Sequence, residues 1–204
     1  MKNYIEHSEF VNLYNKDNKI FDRLFKDVNL FNSFINRMKK ESKNYKKYSY
    51  TDEQGAEKMN GDIFEIFGEP FFKILGADNR IGVYNYKPEQ DGDCGVDASG
   101  LGIDNKPLTI QNKFRSDVTT LLTEKDLHQF AFQSVKRFKV DPNTTTNMIV
   151  FTSADGLHWF TNDKVFLNTI RTIGINQIRS LVDNNYCFWN MVRDMIEETI
   201  RVKY

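Results

Sequence analysis

At 204 residues, with 40% hydrophobic and 27% charged side chains and a formal net charge of zero, the chain is long enough for one well-buried domain plus an appended helical segment. It has no run of eighteen apolar residues, which excludes a membrane-spanning helix, and its polar start, Met1 to His7, lacks the apolar core of a secretion signal. Cys94 and Cys187 lie far apart without metal-ligand spacing, and two unpaired thiols with no export signal point to a reducing cytoplasm.

Residues 8 to 47 read as two helices. In the second, Leu24, Val28, Phe31, Ile35 and Met38 recur at helical spacing and form an apolar stripe. A basic run with interleaved tyrosines follows, from Lys39 to Tyr50. Its Lys43, Lys46 and Lys47 are candidates to grip a nucleic-acid backbone, against the plainer reading of a solvated helix end. Charge is unevenly spread: residues 1–50 hold eleven Lys and Arg against six Asp and Glu, residues 51–110 five against twelve, and the remainder twelve against ten. An acidic middle with more basic flanks suits a protein that holds cations centrally and phosphates at its sides.

A third helix is expected over 56–75, kinked or broken at Gly61, Gly68 and Pro70, with Phe64, Phe67, Phe71 and Phe72 on its buried side. Glu65 and Glu69 lie one turn apart on it. Residues 81–86 alternate as a strand and lead into a turn over 88–92. After two further strands, residues 125–139 form an amphipathic helix lined by Leu127, Phe130, Ala131, Ser134, Val135 and Phe138. A loop over 143–146, a buried strand over 148–151, a strand opening at Trp159-Phe160 and a helix over 188–200 complete the chain. This order predicts an α/β sandwich with a mixed central sheet, divided into a helical segment over 1–50 and a core over 51–204 that includes the C-terminal helix.

The chemistry concentrates in the two central strands. Asp97 ends the stretch Gly92-Asp-Cys-Gly-Val-Asp97, and Gln111-Asn112-Lys113 follows fourteen residues later. Strand alternation points Gln111 and Lys113 to one face and Ile110 and Asn112 to the other. If the strand carrying Asp97 pairs beside them, a carboxylate, an amide and an ammonium converge. Carboxylate and amide oxygens suit a hard cation such as Mg²⁺, and a neighbouring lysine can orient a water or stabilise charge on a phosphate. Taken singly, Asp97 is also readable as a strand-end turn residue, and Gln111 and Lys113 as ordinary strand residues. Arg115 is a further phosphate-contact candidate. His7, His128 and His158 show no metal spacing, and no nucleotide-binding glycine loop or serine elbow occurs.

Asp97 followed by Gln111-x-Lys113 resembles the PD-(D/E)XK nuclease superfamily, and the wording around both is most similar to its Mrr-type restriction endonuclease branch, in which Gln stands for the more usual acid. Gly61-Asp-Ile-Phe64-Glu65 resembles that branch's upstream Gly-x-x-Phe-Glu helix, and the likeness spans roughly residues 56–155. The resemblance implies a restriction-endonuclease-like fold and a DNA endonuclease that uses Mg²⁺, with Mn²⁺ as a substitute. Asp97, Gln111 and the backbone carbonyl of Asn112 would hold the cation, Lys113 would position the attacking water, and Glu65 would hold a water or a second cation. It further implies 5′-phosphate products, a homodimer as a common arrangement, and a helicase or translocase as a partner. Two alternatives stay open: a nuclease or DNA-binding module of a larger helicase machine, and a catalytically silent nucleic-acid-binding domain, which the change of Glu to Gln leaves room for.

Overall fold

The computed structural model describes residues 3–51, 54–89, 95–143, 145–158 and 169–204. The chain forms two compact units, one of residues 1–74 with 177–204 and one of residues 75–176. The sequence predicts a boundary at residue 50, with the C-terminal helix in the core. Instead, that helix packs with the N-terminal helices, because its apolar stripe is completed by theirs.

In the helical unit, α1 (Ser8–Lys16), α2 (Ile20–Phe25) and α3 (Phe31–Ser42) precede a 3-10 turn at Tyr45–Tyr48. Two helices were expected over this stretch. The stripe from Leu24 to Met38 is split because Asp27 takes a positive φ of 56° and ends α2, leaving Phe31, Ile35 and Met38 to α3. Helix α4 (Gly55–Leu75) follows and runs unbroken through Pro70. A mid-helix proline deletes one backbone hydrogen bond and costs roughly 3 kcal/mol. Burial of Phe64, Phe67, Phe71 and Phe72 offsets that cost, at about 1.5–3 kcal/mol for each large side chain.

Phe67 is the hub of this packing. Its ring centroid lies 4.7 Å from Phe34, 5.5 Å from Phe31 and 5.9 Å from Trp189, the last on the C-terminal helix. Polar ties pin the same elements. The Asp183 carboxylate accepts the Phe31 N–H at 2.7 Å and so caps α3, whose N-cap residue Leu30 has no side-chain acceptor. Thr199 Oγ1 accepts the Ile5 N–H at 2.7 Å, and the Trp189 indole donates to the Val182 carbonyl at 2.8 Å. Glu69 is fully buried, yet each oxygen has a donor: Lys73 at 2.6 Å, Glu6 N–H at 2.7 Å and His7 N–H at 3.0 Å. A buried carboxylate this well paired fixes the N-terminal segment onto α4.

The other unit is built on a mixed five-stranded sheet: β1 (Tyr84–Pro88), β2 (Ala98–Leu101), β3 (Pro107–Lys113), β5 (Met148–Thr152) and β7 (Ile170–Ile173), in spatial order β1-β2-β3-β5-β7. β1, β2 and β3 are antiparallel neighbours, whereas β5 and β7 add in parallel. The parallel step from β3 to β5 needs a crossover, which α5 (His128–Lys136) supplies. Two-residue strands β4 (Leu122–Thr123) and β6 (Leu157–His158) pair separately. Val96, Leu127, Phe130, Met148, Val150 and Ile170 belong to the core cluster around α5. β1 begins three residues later than expected, since Gly82 takes a positive φ and the Ile81 and Gly82 N–H groups both donate to the Asp78 carbonyl in a turn; within the strand, the register shifts between Tyr84 and Lys87. The strand expected at Trp159-Phe160 lies outside the described residues. Helices α6 (Ile175–Val182) and α7 (Tyr186–Lys203) close the chain.

Candidate functional site

β3 is the central strand, and its residues Leu108 to Asn112 are all buried. A strand covered on both faces is normally apolar throughout. Here three of those five side chains are polar: Thr109, Gln111 and Asn112. Thr109 is satisfied. Its hydroxyl donates to Ser134 on α5 at 2.8 Å, and Ser134 in turn donates to the Phe130 carbonyl at 2.7 Å.

Gln111, two residues along and therefore on the same face, is only 4% exposed, and its Oε1 has no hydrogen-bond partner among the described residues. Its Nε2 lies 3.5 Å from where a Cβ on Gly95 would stand, with Phe130 N at 3.3 Å from the same point. Gly95 has a φ of +71°, so a side chain there would be strained by the backbone as well as crowded. The bare backbone of Gly95 therefore leaves the space into which the Gln111 amide leans.

Asp97 stands immediately before β2. Its N–H donates to the Ile110 carbonyl at 2.9 Å, and its Oδ2 accepts the Asn112 N–H at 2.5 Å. The carboxylate is thus clasped onto the β3 backbone at the residue after Gln111. In a strand, the N–H and C=O of one residue point to the same neighbour, so the Asn112 carbonyl also faces the β2 side. The alternation is consistent: the next carbonyl, Lys113 O, accepts from Thr152 on the β5 side at 2.7 Å. Lys113 shares the Gln111 face by parity, is half-buried, and makes no side-chain hydrogen bond or ion pair with a described residue. Asp97 is therefore brought against Asn112 on β3, with Gln111 and Lys113 on either side of Asn112 along the strand.

The donor set fits a hard divalent cation. It consists of oxygens only, one of them the buried Gln111 amide oxygen, which has no donor among the described residues. It is sparing in charge. Among the described residues no group of three or more His, Cys, Asp or Glu is placed to hold a metal ion. Glu89 was missed by sequence reasoning: its N–H donates to the Asp97 carbonyl at 2.9 Å, and its Oε1 accepts the Ser99 hydroxyl at 2.5 Å. The signal for it is strand register, which no linear motif encodes.

Arg115 is committed locally. Its guanidinium meets Asp126 at 2.8 Å, and Asp126 also accepts from the Thr123 N–H and hydroxyl as a capping box. Burial opposes the Asp126 charge, but Thr123 and Arg115 together hold its carboxyl below the ordinary range. Of the basic run, Lys43, Lys46 and Lys47 are exposed. Lys47 pairs with Asp17, whose carboxyl Arg23 and Lys47 hold far below the usual carboxylate value, and the Lys46 ammonium lies 5.9 Å from the Tyr45 ring centroid.

Glu65 belongs to the helical unit, where it accepts from His7 Nε2 at 3.1 Å. His7 Nδ1 caps α1 by accepting the Glu9 N–H at 3.3 Å, which leaves the ring proton on Nε2 for Glu65. Burial disfavours the charged ring, but the hydrogen bond to Glu65 and the charges of Glu65, Glu69 and Asp62 raise its pKa above the ordinary 6.5. Nearby, burial pushes Asp62 up to about 6, aided by Glu65 and Glu9 and opposed by the hydrogen bond that Tyr50 donates at 2.5 Å.

Both groups hold protons more tightly folded than unfolded. Asp62 contributes stability fully present below its unfolded value near 3.8 and lost as pH rises through about 6; His7 does so from 6.5 upward. Asp62→Asn should therefore lose about 1–2 kcal/mol less stability than the wild type between pH 4 and pH 7.5, allowing for solvent screening. Urea unfolding at the two pH values measures this. An identical pH dependence in both proteins would remove Asp62 from the account.

No family model matches the chain, and no curated protein is similar to it. Among the described residues, no helix is long and apolar enough to cross a membrane.

Proposed function

We propose that the sheet unit is the core of a Mg²⁺-dependent endodeoxyribonuclease with a restriction-endonuclease-like fold. The observation that carries the reading is the Asp97 carboxylate held on the β3 backbone at Asn112, next to the buried oxygen of Gln111 and the ammonium of Lys113, both without a partner among the described residues. The element order, α4 then three antiparallel strands, α5 and a parallel strand, is the one the nuclease resemblance implies.

Asp97, Gln111 and the Asn112 carbonyl would hold the cation, which supplies charge neutralisation at the phosphate and acidifies water. Lys113 orients the attacking water and offers a hydrogen bond to the phosphate oxygen on which charge builds. Water adds to phosphorus as the bond to the 3′ oxygen breaks, leaving a 5′-phosphate and a 3′-hydroxyl. The test is incubation of the intact chain with supercoiled, linear and branched DNA in Mg²⁺, Mn²⁺ or EDTA. Cation-dependent nicking is the expected result; DNA bound but never cut would favour a silent binding domain, the reading to which the neutral Gln111 lends weight.

The basic run over residues 39–50 supplies the grip on DNA in this reading. Neutralising Lys43, Lys46 and Lys47 together should weaken binding about equally on all sequences. Every phosphate that goes without its lysine flattens the salt dependence by about 0.9 in slope. Because Asp17 already neutralises Lys47, the change should be nearer two units than three. Wild-type affinity with an unaltered salt slope would retire the clamp.

A further inference from the structure

We propose that Glu89 is the second carboxylate of this site, joining Asp97 and Gln111 around a divalent cation and supplying the negative charge that Gln111 lacks. This rests on the reading of the β2–β3 site as a cation centre. Pro88 faces Ala98 across β1 and β2, and one step further the Glu89 N–H donates to the Asp97 carbonyl at 2.9 Å. Glu89 therefore lies beside Asp97 on the neighbouring strand.

The direction of its side chain follows from a series of hydrogen bonds and strand pairings. The Ser99 hydroxyl donates to Glu89 Oε1 at 2.5 Å. Ser99 stands opposite Thr109 in the β2–β3 register, so the two share a face. Thr109 marks that face by its 2.8 Å bond to Ser134 on α5, and Gln111 follows two residues later on the same side. The Glu89 carboxylate and the Gln111 amide thus project from one face of the sheet, with Asp97 between their strands.

An independent observation points to a ligand there. Gln111 Oε1 is buried without a donor among the described residues, on the strand against which Asp97 is held at Asn112. Leaving such an oxygen unpaired costs free energy that a coordinated cation removes. Charge argues the same way. One carboxylate with two neutral oxygens leaves a divalent ion with net positive charge, and affinity at oxygen sites rises with the number of charged ligands. Glu89 is half-buried, and its second carboxylate oxygen makes no hydrogen bond to a described residue.

The experiment is calorimetric titration of Mn²⁺ into the intact chain without DNA, so that it reads binding and not cleavage. The wild type should bind one ion, Asp97→Asn should abolish binding, and Glu89→Gln should weaken it at least about tenfold, as expected when one of two charged ligands is removed. Glu89→Gln keeps an acceptor for Ser99, and circular dichroism checks that the fold is retained. Combining it with Gln111→Glu returns the carboxylate count to two and should restore affinity, which loss of structure would not allow. Wild-type affinity in Glu89→Gln with binding lost in Asp97→Asn overturns the role of Glu89 and leaves the cation centre standing. Absent binding in the wild type, or unchanged binding in Asp97→Asn, overturns the centre and this proposal together.

Discussion

Asp97→Ala is expected to abolish DNA cleavage while leaving DNA binding measurable. The substitution removes the carboxylate held on β3 at this site, and with it the acceptor of the Asn112 N–H at 2.5 Å. The loss should exceed about a thousandfold, the upper end for removing one charge stabiliser at a reacting phosphate, because a cation's affinity depends on the same group. Lys113→Ala leaves the oxygen ligands intact and should cost at least about a hundredfold. Plasmid nicking under saturating Mn²⁺, with gel-shift affinity measured in parallel, checks both. Full cleavage by either variant would dismiss that residue's assigned role.

The largest expected effect on stability lies in the helical unit, at Phe67. Its ring is fully buried and meets Phe31, Phe34, Phe71, Phe188 and Trp189 at centroid separations of 4.7–6.2 Å. Phe67→Ala opens a cavity among side chains from α3, α4 and α7 that are tied by the Asp183 and Trp189 hydrogen bonds and cannot readily collapse. The expected cost is about 3–5 kcal/mol, a large part of a typical folding free energy. Chemical unfolding followed by near-ultraviolet circular dichroism measures it. A loss under about 1 kcal/mol would show that the rings repack around the gap.

The local periodicities made much of this architecture legible. β3, β5, α4 and α7 stand close to where apolar spacing predicts them, since each buries a face that its own sequence advertises. α5 is shorter than the expected span of 125–139. The Thr123–Asp126 capping box closes a 3-10 turn before it, and the positive φ of Lys139 lies beyond its end. Asp97, Gln111 and Lys113 could be paired in advance because alternation along one strand fixes parity. Glu89 could not, because its place depends on the β1–β2 register, which a hidden irregularity shifts. The nuclease resemblance assigns Glu65 a water or a second cation to hold. The bond it makes to His7, 58 residues earlier, comes from the packing of the N-terminal segment on α4, which no local pattern announces.

The discontinuity of the helical unit bears on how the chain is made. Residues 75–176 form one uninterrupted stretch, so they can close as soon as they leave the ribosome. The helical unit must wait for residues 177–204: the partners of Ile5 and Phe67, Thr199 and Trp189, arrive more than a hundred residues later. At roughly 5–20 residues per second, the part of the α4 phenylalanine face that meets α7 goes without that partner for about 6–24 s during each round of synthesis. That interval makes the nascent chain, rather than the finished protein, the species most exposed to aggregation and most dependent on chaperones.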